Sequence, residues 1–203
     1  MMTNRLIIAI AAAALLFGCE KQNENLAQEK QGPTFLELAK ARYSVRYYAK
    51  TPVEQEKIDA ILEAARIAPT AKNQQPFHIY ALTSKKSLAK INELTRSAYE
   101  APVVFIVCYD KNAQWTNPLD PRVKSGEMDA SIVGTHMMLE AAEQGLGSCW
   151  VKFFNPKEVA AAFEIPDNLA VSFLLDVGYP AKGAAPNKMH FEKRDIKDFT
   201  TYK

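Results

Sequence analysis

Apolar positions along this chain alternate between helical and extended spacing, and the changes of period mark out the elements. Phe35, Leu36, Leu38 and Ala39 have helical spacing, with Thr34 placed to cap and Glu37 three residues on as in a capping box, so a short helix ending near Arg42 is predicted. Val53 to Ala68 repeats the pattern through Ile58, Ile61, Leu62, Ala65 and Ile67; Pro69 stops it and leads into a polar loop from Thr70 to Gln75. Phe77 to Leu82 and Val103 to Tyr109 read as strands, the second apolar enough to be buried on both faces, with a surface helix between them over Lys85 to Arg96. Trp115 to Ser125 has no apolar period and two X-Pro steps, which makes it a loop. Met128 to Gln144 is the most helical stretch, apolar on much of its circumference and expected to run through the core, and Gly145-Leu146-Gly147 ends it. Ser148 to Phe154 is strand-like, Pro156 to Phe163 helical, and Leu169 to Val177 a further buried strand. Interleaved helices and strands without an internal repeat predict one α+β or α/β domain over 34–203.

The first residues follow a different rule. Arg5 precedes twelve unbroken apolar residues, Leu6 to Phe17, followed by Gly18 and Cys19. That is too short for the roughly 20 residues a membrane-spanning helix needs, and it reads as an export signal over residues 1–18. Leu16-Phe17-Gly18-Cys19 resembles a bacterial lipobox, which implies lipidation at Cys19, a polar tether over 19–33, and a membrane-anchored lipoprotein of a bacterial cell envelope, on the periplasmic side or at the outer membrane. With 48% hydrophobic and 24% charged residues the remainder has ordinary globular composition. A formal charge of +2, from 25 basic and 23 acidic residues, lacks the basic excess that a nucleic-acid partner requires. Cys19, Cys108 and Cys149 are too few and too far apart for a disulfide framework or a cysteine-built metal site. His136 and Glu140 share a helical face, but the second histidine of a zinc motif is absent and no metal is expected.

Three segments carry candidate chemistry. Arg42-Tyr43-Ser44-Val45-Arg46 puts Arg, Ser and Arg at alternate positions, so that in an extended segment all three project to one side and suit a phosphate or another delocalised anion; the plainer reading is a solvated charged turn. Pro69-Thr70-Ala71-Lys72-Asn73-Gln74-Gln75-Pro76 sets three consecutive amides between prolines, able to pair with both edges of a heterocycle or simply to connect a helix to a strand. Gly147 to Phe154 is an aromatic-rich strand end that either lies against a flat ring or packs into the core.

Together, in this order, the three segments resemble the nitroreductase family of FMN-dependent oxidoreductases over Phe35 to Phe199. The resemblance implies an α+β fold with a central, mostly antiparallel sheet flanked by helices, and an intertwined homodimer with an FMN at each of two sites built by both subunits. Carried over, Arg42 and Ser44 hold the FMN phosphate, with Tyr43 between them also counted among the cofactor-binding residues, and Arg46 lies near N1 and O2 of the ring, where a cation favours the reduced flavin. Pro69, Thr70, Ala71 and Asn73 come from the partner subunit, with Gln75 supporting that loop; Trp150, Val151, Lys152 and Phe153 run along the ring with a backbone N–H toward N5; Lys188 and His190 supply further phosphate ligands. Thr70-Ala71 stands where the family has small hydroxyl residues, Lys152-Phe153 where glycine is frequent, and His190 where arginine is common.

The activity implied is transfer of hydride from transiently bound NADH or NADPH to a nitroaromatic, quinone or similar electron-poor acceptor by ping-pong chemistry, carried by the flavin without a catalytic side chain. No nucleotide-binding glycine motif is present to hold the nicotinamide independently. Export is in tension with this donor, which is scarce outside the cytoplasm. Reductive dehalogenation or flavin fragmentation on the same scaffold, with Trp115 to Ser125 setting specificity, and a lipoprotein that binds flavin or another planar ligand without turnover are the alternatives.

Overall fold

Strand β2, Val103–Asp110, is buried at every position from Val103 to Cys108, and the sheet is built outward from it. The computed structural model describes residues 32–203; the predicted export signal 1–18, Cys19 and the predicted tether as far as residue 31 lie outside the described residues. The unit Leu38–Lys203 holds the sheet. Its four strands, β1 Phe77–Leu82, β2, β3 Gly147–Val151 and β4 Leu169–Gly178, lie in the order β1-β2-β4-β3 with every neighbour antiparallel.

Because side chains alternate across a strand, β2 and β4 feed two cores. Val103, Phe105, Val107, Phe173, Leu175 and Val177 meet helix α2, Gln55–Ile67, and helix α4, Gly126–Glu143. Val104, Ile106, Cys108 and Leu174 form the other core with Ile91 of α3, Lys85–Leu94, and Val159 of α5, Pro156–Ala162. The expected α+β architecture, an antiparallel sheet flanked by helices, is therefore what the chain adopts.

Helix ends obey local chemistry. The first helix, α1, Phe35–Ala41, opens with the capping box: the Thr34 amide donates to Glu37 Oε2 at 2.8 Å and the Glu37 amide to Thr34 Oγ1 at 3.4 Å. Ala68 turns extended ahead of Pro69, whose ring disfavours helical backbone at the preceding residue. At the end of α4 the Gly145 amide reaches Ala142 O at 3.1 Å and the Leu146 amide reaches Ala141 O at 2.8 Å, the paired bonds of a left-handed helix stop with Gly145 at φ +73°.

Two expectations need correction. The strand read from Ser148 to Phe154 ends at Val151, because the Phe153 carbonyl accepts from Thr95 Oγ1 at 2.6 Å and is turned away from a strand partner. Helix α4 is not enclosed on all sides: Met128 is 54% and Ile132 38% exposed, since α2 and the sheet cover only the opposite face.

Candidate functional site

The residues after α1 run extended beside the start of β3. Ser44 pairs with Ser148 as a parallel bridge, and the Val45 amide donates to Ser148 O at 2.9 Å. Tyr43 and Val45 turn into the core, while Ser44 and Arg46 line one hollow and Arg42 lines a neighbouring one. Gly147 permits this approach: a Cβ there would stand 2.4 Å from Val45 Cγ2. Arg46 Nη1 donates to Ser44 O at 3.3 Å, and among the described residues neither Arg42 nor Arg46 has a carboxylate partner. Two uncompensated guanidinium forks beside a hydroxyl form an anion-ready surface.

The tail returns to the same place. Tyr43 donates its hydroxyl to Ala184 O at 3.3 Å, and the His190 ring meets the Tyr43 ring edge-on with centroids 6.3 Å apart. Lys188 shares with His190 a single 3₁₀ turn, capped by Asn187 Oδ1 accepting from the Met189 amide at 3.0 Å. Ser44, Arg46, Asn187 and the glycine-alanine run before it line a hollow of about 250 Å³. Arg42, Tyr43, Gly145 and Ser148 line another of about 200 Å³. Each is smaller than the ~300–1,000 Å³ that cofactor pockets occupy, so this end of one chain accommodates part of a dinucleotide-sized or flavin-sized ligand.

The loop from Pro69 to Gln75 stands elsewhere. Lys72, Asn73 and Gln75 are held at φ 51°, 54° and 49°, left-handed values that cost non-glycine residues about 1–3 kcal/mol each. Inside the loop the Gln75 amide donates to Thr70 Oγ1 at 3.0 Å, the Asn73 amide to Thr70 O at 2.9 Å, and Gln75 Nε2 to Asn73 Oδ1 at 3.1 Å. From outside, Asp129 in the first turns of α4 accepts from the Ala71 amide through Oδ1 at 2.9 Å. Asp129 was not singled out in the sequence; the available signal was a carboxylate falling among the apolar positions of that helix. Arg42 lies beside Gly145, sixteen residues beyond Asp129, which at ~1.5 Å per helical residue separates the loop from the arginine segment by roughly 24 Å. One chain thus brings Arg42, Tyr43, Ser44, Arg46 and His190 together, and leaves Pro69, Thr70, Ala71, Asn73 and Gln75 at the other end of α4.

Strand β3 runs between the two ends. The Trp150 indole stacks on Phe173 with centroids 3.6 Å apart and planes 18° from parallel. A Cβ on Gly134 of α4 would lie 2.3 Å from Phe173 Cζ and 2.6 Å from Trp150 Cζ3, so the indole is wedged between helix and sheet. The Trp150 side chain is therefore core, as is that of buried Val151. Lys152 swings to Glu127 Oε1 at 2.9 Å and to Ser172 O. Phe153 is 66% exposed, with the Arg96 guanidinium 5.3 Å from its ring centre.

Other candidates resolve into structure. Burial pushes the Cys108 thiol up to about 12 and the Cys149 thiol up to about 11, far from reactive. His136 Nδ1 pairs with Ile132 O at 2.9 Å and Glu140 accepts from Gln144 at 2.7 Å, so both bond along their own helix. On β4, directly across from Cys149, the buried Asp176 carboxyl has no partner for either oxygen, and burial raises it to about 8.

A sequence profile described as the Nitroreductase family matches residues 39–100 and 96–179. The chain is 30% identical over 171 residues, covering 78% of itself and 86% of the relative, to a protein of Methanothermobacter thermautotrophicus provisionally named NADH dehydrogenase/NAD(P)H nitroreductase. It is also 30% identical over 160 residues, 70% of itself and 64% of the relative, to a Bacillus subtilis protein named FMN reductase (NAD(P)H). The solved structure of a nitroreductase family protein from Clostridium difficile 630 superposes with TM-score 0.78 at 38% identity, covering 84% of this chain and 98% of the other.

Proposed function

The chain belongs to the nitroreductase family, and from that premise we propose that it is an FMN-dependent oxidoreductase taking electrons from NADH or NADPH and passing them to a nitroaromatic, quinone or similar electron-poor acceptor. The observation that carries this reading is the uncompensated set of Arg42, Ser44 and Arg46, backed by the turn holding Lys188 and His190. A flavin phosphate suits Arg42 and Ser44 of that donor set: the planar guanidinium pairs with its oxygens and the hydroxyl adds a further donor. When bound, FMN would supply the two-electron chemistry between donor and acceptor. The chain's part would be to bind and orient: Arg42, Ser44, Lys188 and His190 would hold the anionic end, Arg46 would place a cation by the electron-accepting edge of the ring, and the β3 backbone from Trp150 to Phe153 would border it.

Two observations support a homodimeric site. The Pro69–Gln75 loop and the arginine segment are separated by the length of α4 within one chain, and α4 leaves Met128 and Ile132 bare, one helical turn apart. A second copy covering that face brings its own Pro69, Thr70, Ala71 and Asn73 toward the first copy's Arg42–Arg46. The leader and Cys19 support export and anchoring through a lipid.

Purified protein is expected to be yellow with noncovalently bound FMN, and anaerobic NADH or NADPH to bleach it. Arg42→Ala and Arg46→Ala should each weaken FMN binding by roughly 10- to 150-fold, the equivalent of losing a charge-assisted contact of about 1.5–3 kcal/mol. A colourless protein that gives no calorimetric signal on adding FMN sinks the proposal. Flavin that binds but is reduced by neither nucleotide removes the donor from it.

A further inference from the structure

Asp129 sits where an apolar residue would be expected. It is 2% exposed, its neighbours Ala130 and Val133 face the core, and its Oδ2 has no partner. A half-satisfied buried carboxyl is costly, so its retention calls for a compensating role. Among the described residues the bond it does make is the single tie from the body of the chain to the amides of the Thr70–Asn73 turn: Oδ1 takes the Ala71 N–H at 2.9 Å. Lys72 and Asn73 within that turn, and Gln75 just after it, hold left-handed conformations, and such backbone persists only where its surroundings over-determine it. Bonds within the loop, from Thr70 and Gln75, shape it but cannot fix it against the helix. The position of Asp129 in the first turns of α4 suits a carboxyl, because the N-terminal end of a helix carries partial positive charge.

We propose that Asp129 is a positioning residue for the flavin site, holding the Thr70–Asn73 turn in the one conformation that presents its backbone and side chains to the ring. This rests on the flavin reading above. It acts through Ala71 and touches no reacting atom itself. The acceptor oxygen is what matters, so an amide in its place preserves the function and a methyl group abolishes it.

The test uses purified full-length protein, in two arms. In the first, amide hydrogen exchange is followed on the flavin-free protein, where the Ala71 N–H should be protected in wild type and in Asp129→Asn and should exchange at least tenfold faster in Asp129→Ala. In the second, FMN titration should show Asp129→Ala weakened roughly 10- to 100-fold with a shifted visible flavin band, and Asp129→Asn within a few-fold of wild type. Ala71→Pro removes the donor instead of the acceptor, and Thr70 at φ −133°, ψ 161° already has the extended backbone that precedes a proline. It should weaken FMN comparably, and the Asp129→Ala/Ala71→Pro double variant should bind no worse than either single, since both break one bond. If Asp129→Ala does not fold, Asp129→Asn and Ala71→Pro decide the matter alone. The inference is overturned if Ala71 exchange is indifferent to Asp129→Ala, if Asp129→Asn loses as much affinity as Asp129→Ala, or if Ala71→Pro binds FMN like wild type. Wild-type protein that binds no FMN while Ala71 stays Asp129-dependent condemns the flavin reading, and with it the assignment to a flavin site, while leaving the anchoring bond established.

Discussion

Asp176 shows how much one buried side chain can set. Its carboxyl stands on β4 against Cys149 of β3 and near Tyr48, whose phenol burial and the neighbouring Asp176 push far up. Removal from water raises Asp176 from the ordinary 3.8 to about 8, so over that interval the folded chain holds a proton that the unfolded chain releases. Stability contributed at this position is therefore greatest in acid, declines as pH rises from about 4, and levels off above about 8. Asp176→Asn removes the titration. Its stability relative to wild type should be near neutral at pH 4 and grow through the interval, with a ceiling of roughly 6 kcal/mol at ~1.4 kcal/mol per pH unit. Denaturant unfolding at pH 5, 7 and 8.5 measures it, and a pH-independent difference between the two proteins refutes the assignment. The same scale holds the arginines. Alternation offers Arg42 and Arg46 a shared side, because an extended segment has only two, but only the resemblance assigns them to a site, whereas Asp129 is hidden because its proposed role depends on a loop met only in three dimensions.

At the level of elements, α4 and β3 meet through a missing side chain. Gly134 lets the helix settle over the Trp150–Phe173 stack, whose ring atoms lie 2.3–2.9 Å from where a Cβ would be. Gly134→Ala should force apart helix and sheet, overcoming the helix propensity gained, and destabilise by about 1–3 kcal/mol. Thermal unfolding checks this, and a variant as stable as wild type shows that the stack can yield. The exposed face of the same helix is not legible in its composition, because an apolar circumference does not say which neighbour covers it. Strand β3 stops three residues short of its apolar pattern for a related reason. Aromatic and β-branched residues continue to Phe154, but the Thr95 hydroxyl captures the Phe153 carbonyl.

The whole molecule carries half of each proposed site at either end of α4. Sedimentation of flavin-loaded protein is therefore expected to give a dimer, and a flavin-loaded monomer would contradict a site shared between copies. The proposed lipid attachment belongs to the same scale but to a separate part of the chain. Cys19→Ser should leave an uncleaved precursor that takes up no labelled fatty acid, with flavin content unchanged, because the polar tether has few packing residues to transmit the difference; label on that variant rules out Cys19 as the acceptor.

What the sequence determined by itself was everything that depends on neighbours in the chain. Capping by Thr34 and Glu37, the stop at Pro69, the glycine exit at Gly145, the doubly buried β2 and the alternate placing of Arg42, Ser44 and Arg46 all follow from local sterics and from periods of 3.6 and 2. Tertiary structure alone decided what depends on residues far apart. It brought His190 to Tyr43 across the whole domain, committed Trp150 to the core, put a buried carboxylate beneath the Ala71 amide, and kept the Pro69–Gln75 loop away from the arginines it accompanies in the motif. Those outcomes rest on strand order and on which helix covers which face, and a single chain's hydrophobic pattern is satisfied equally well by several such arrangements.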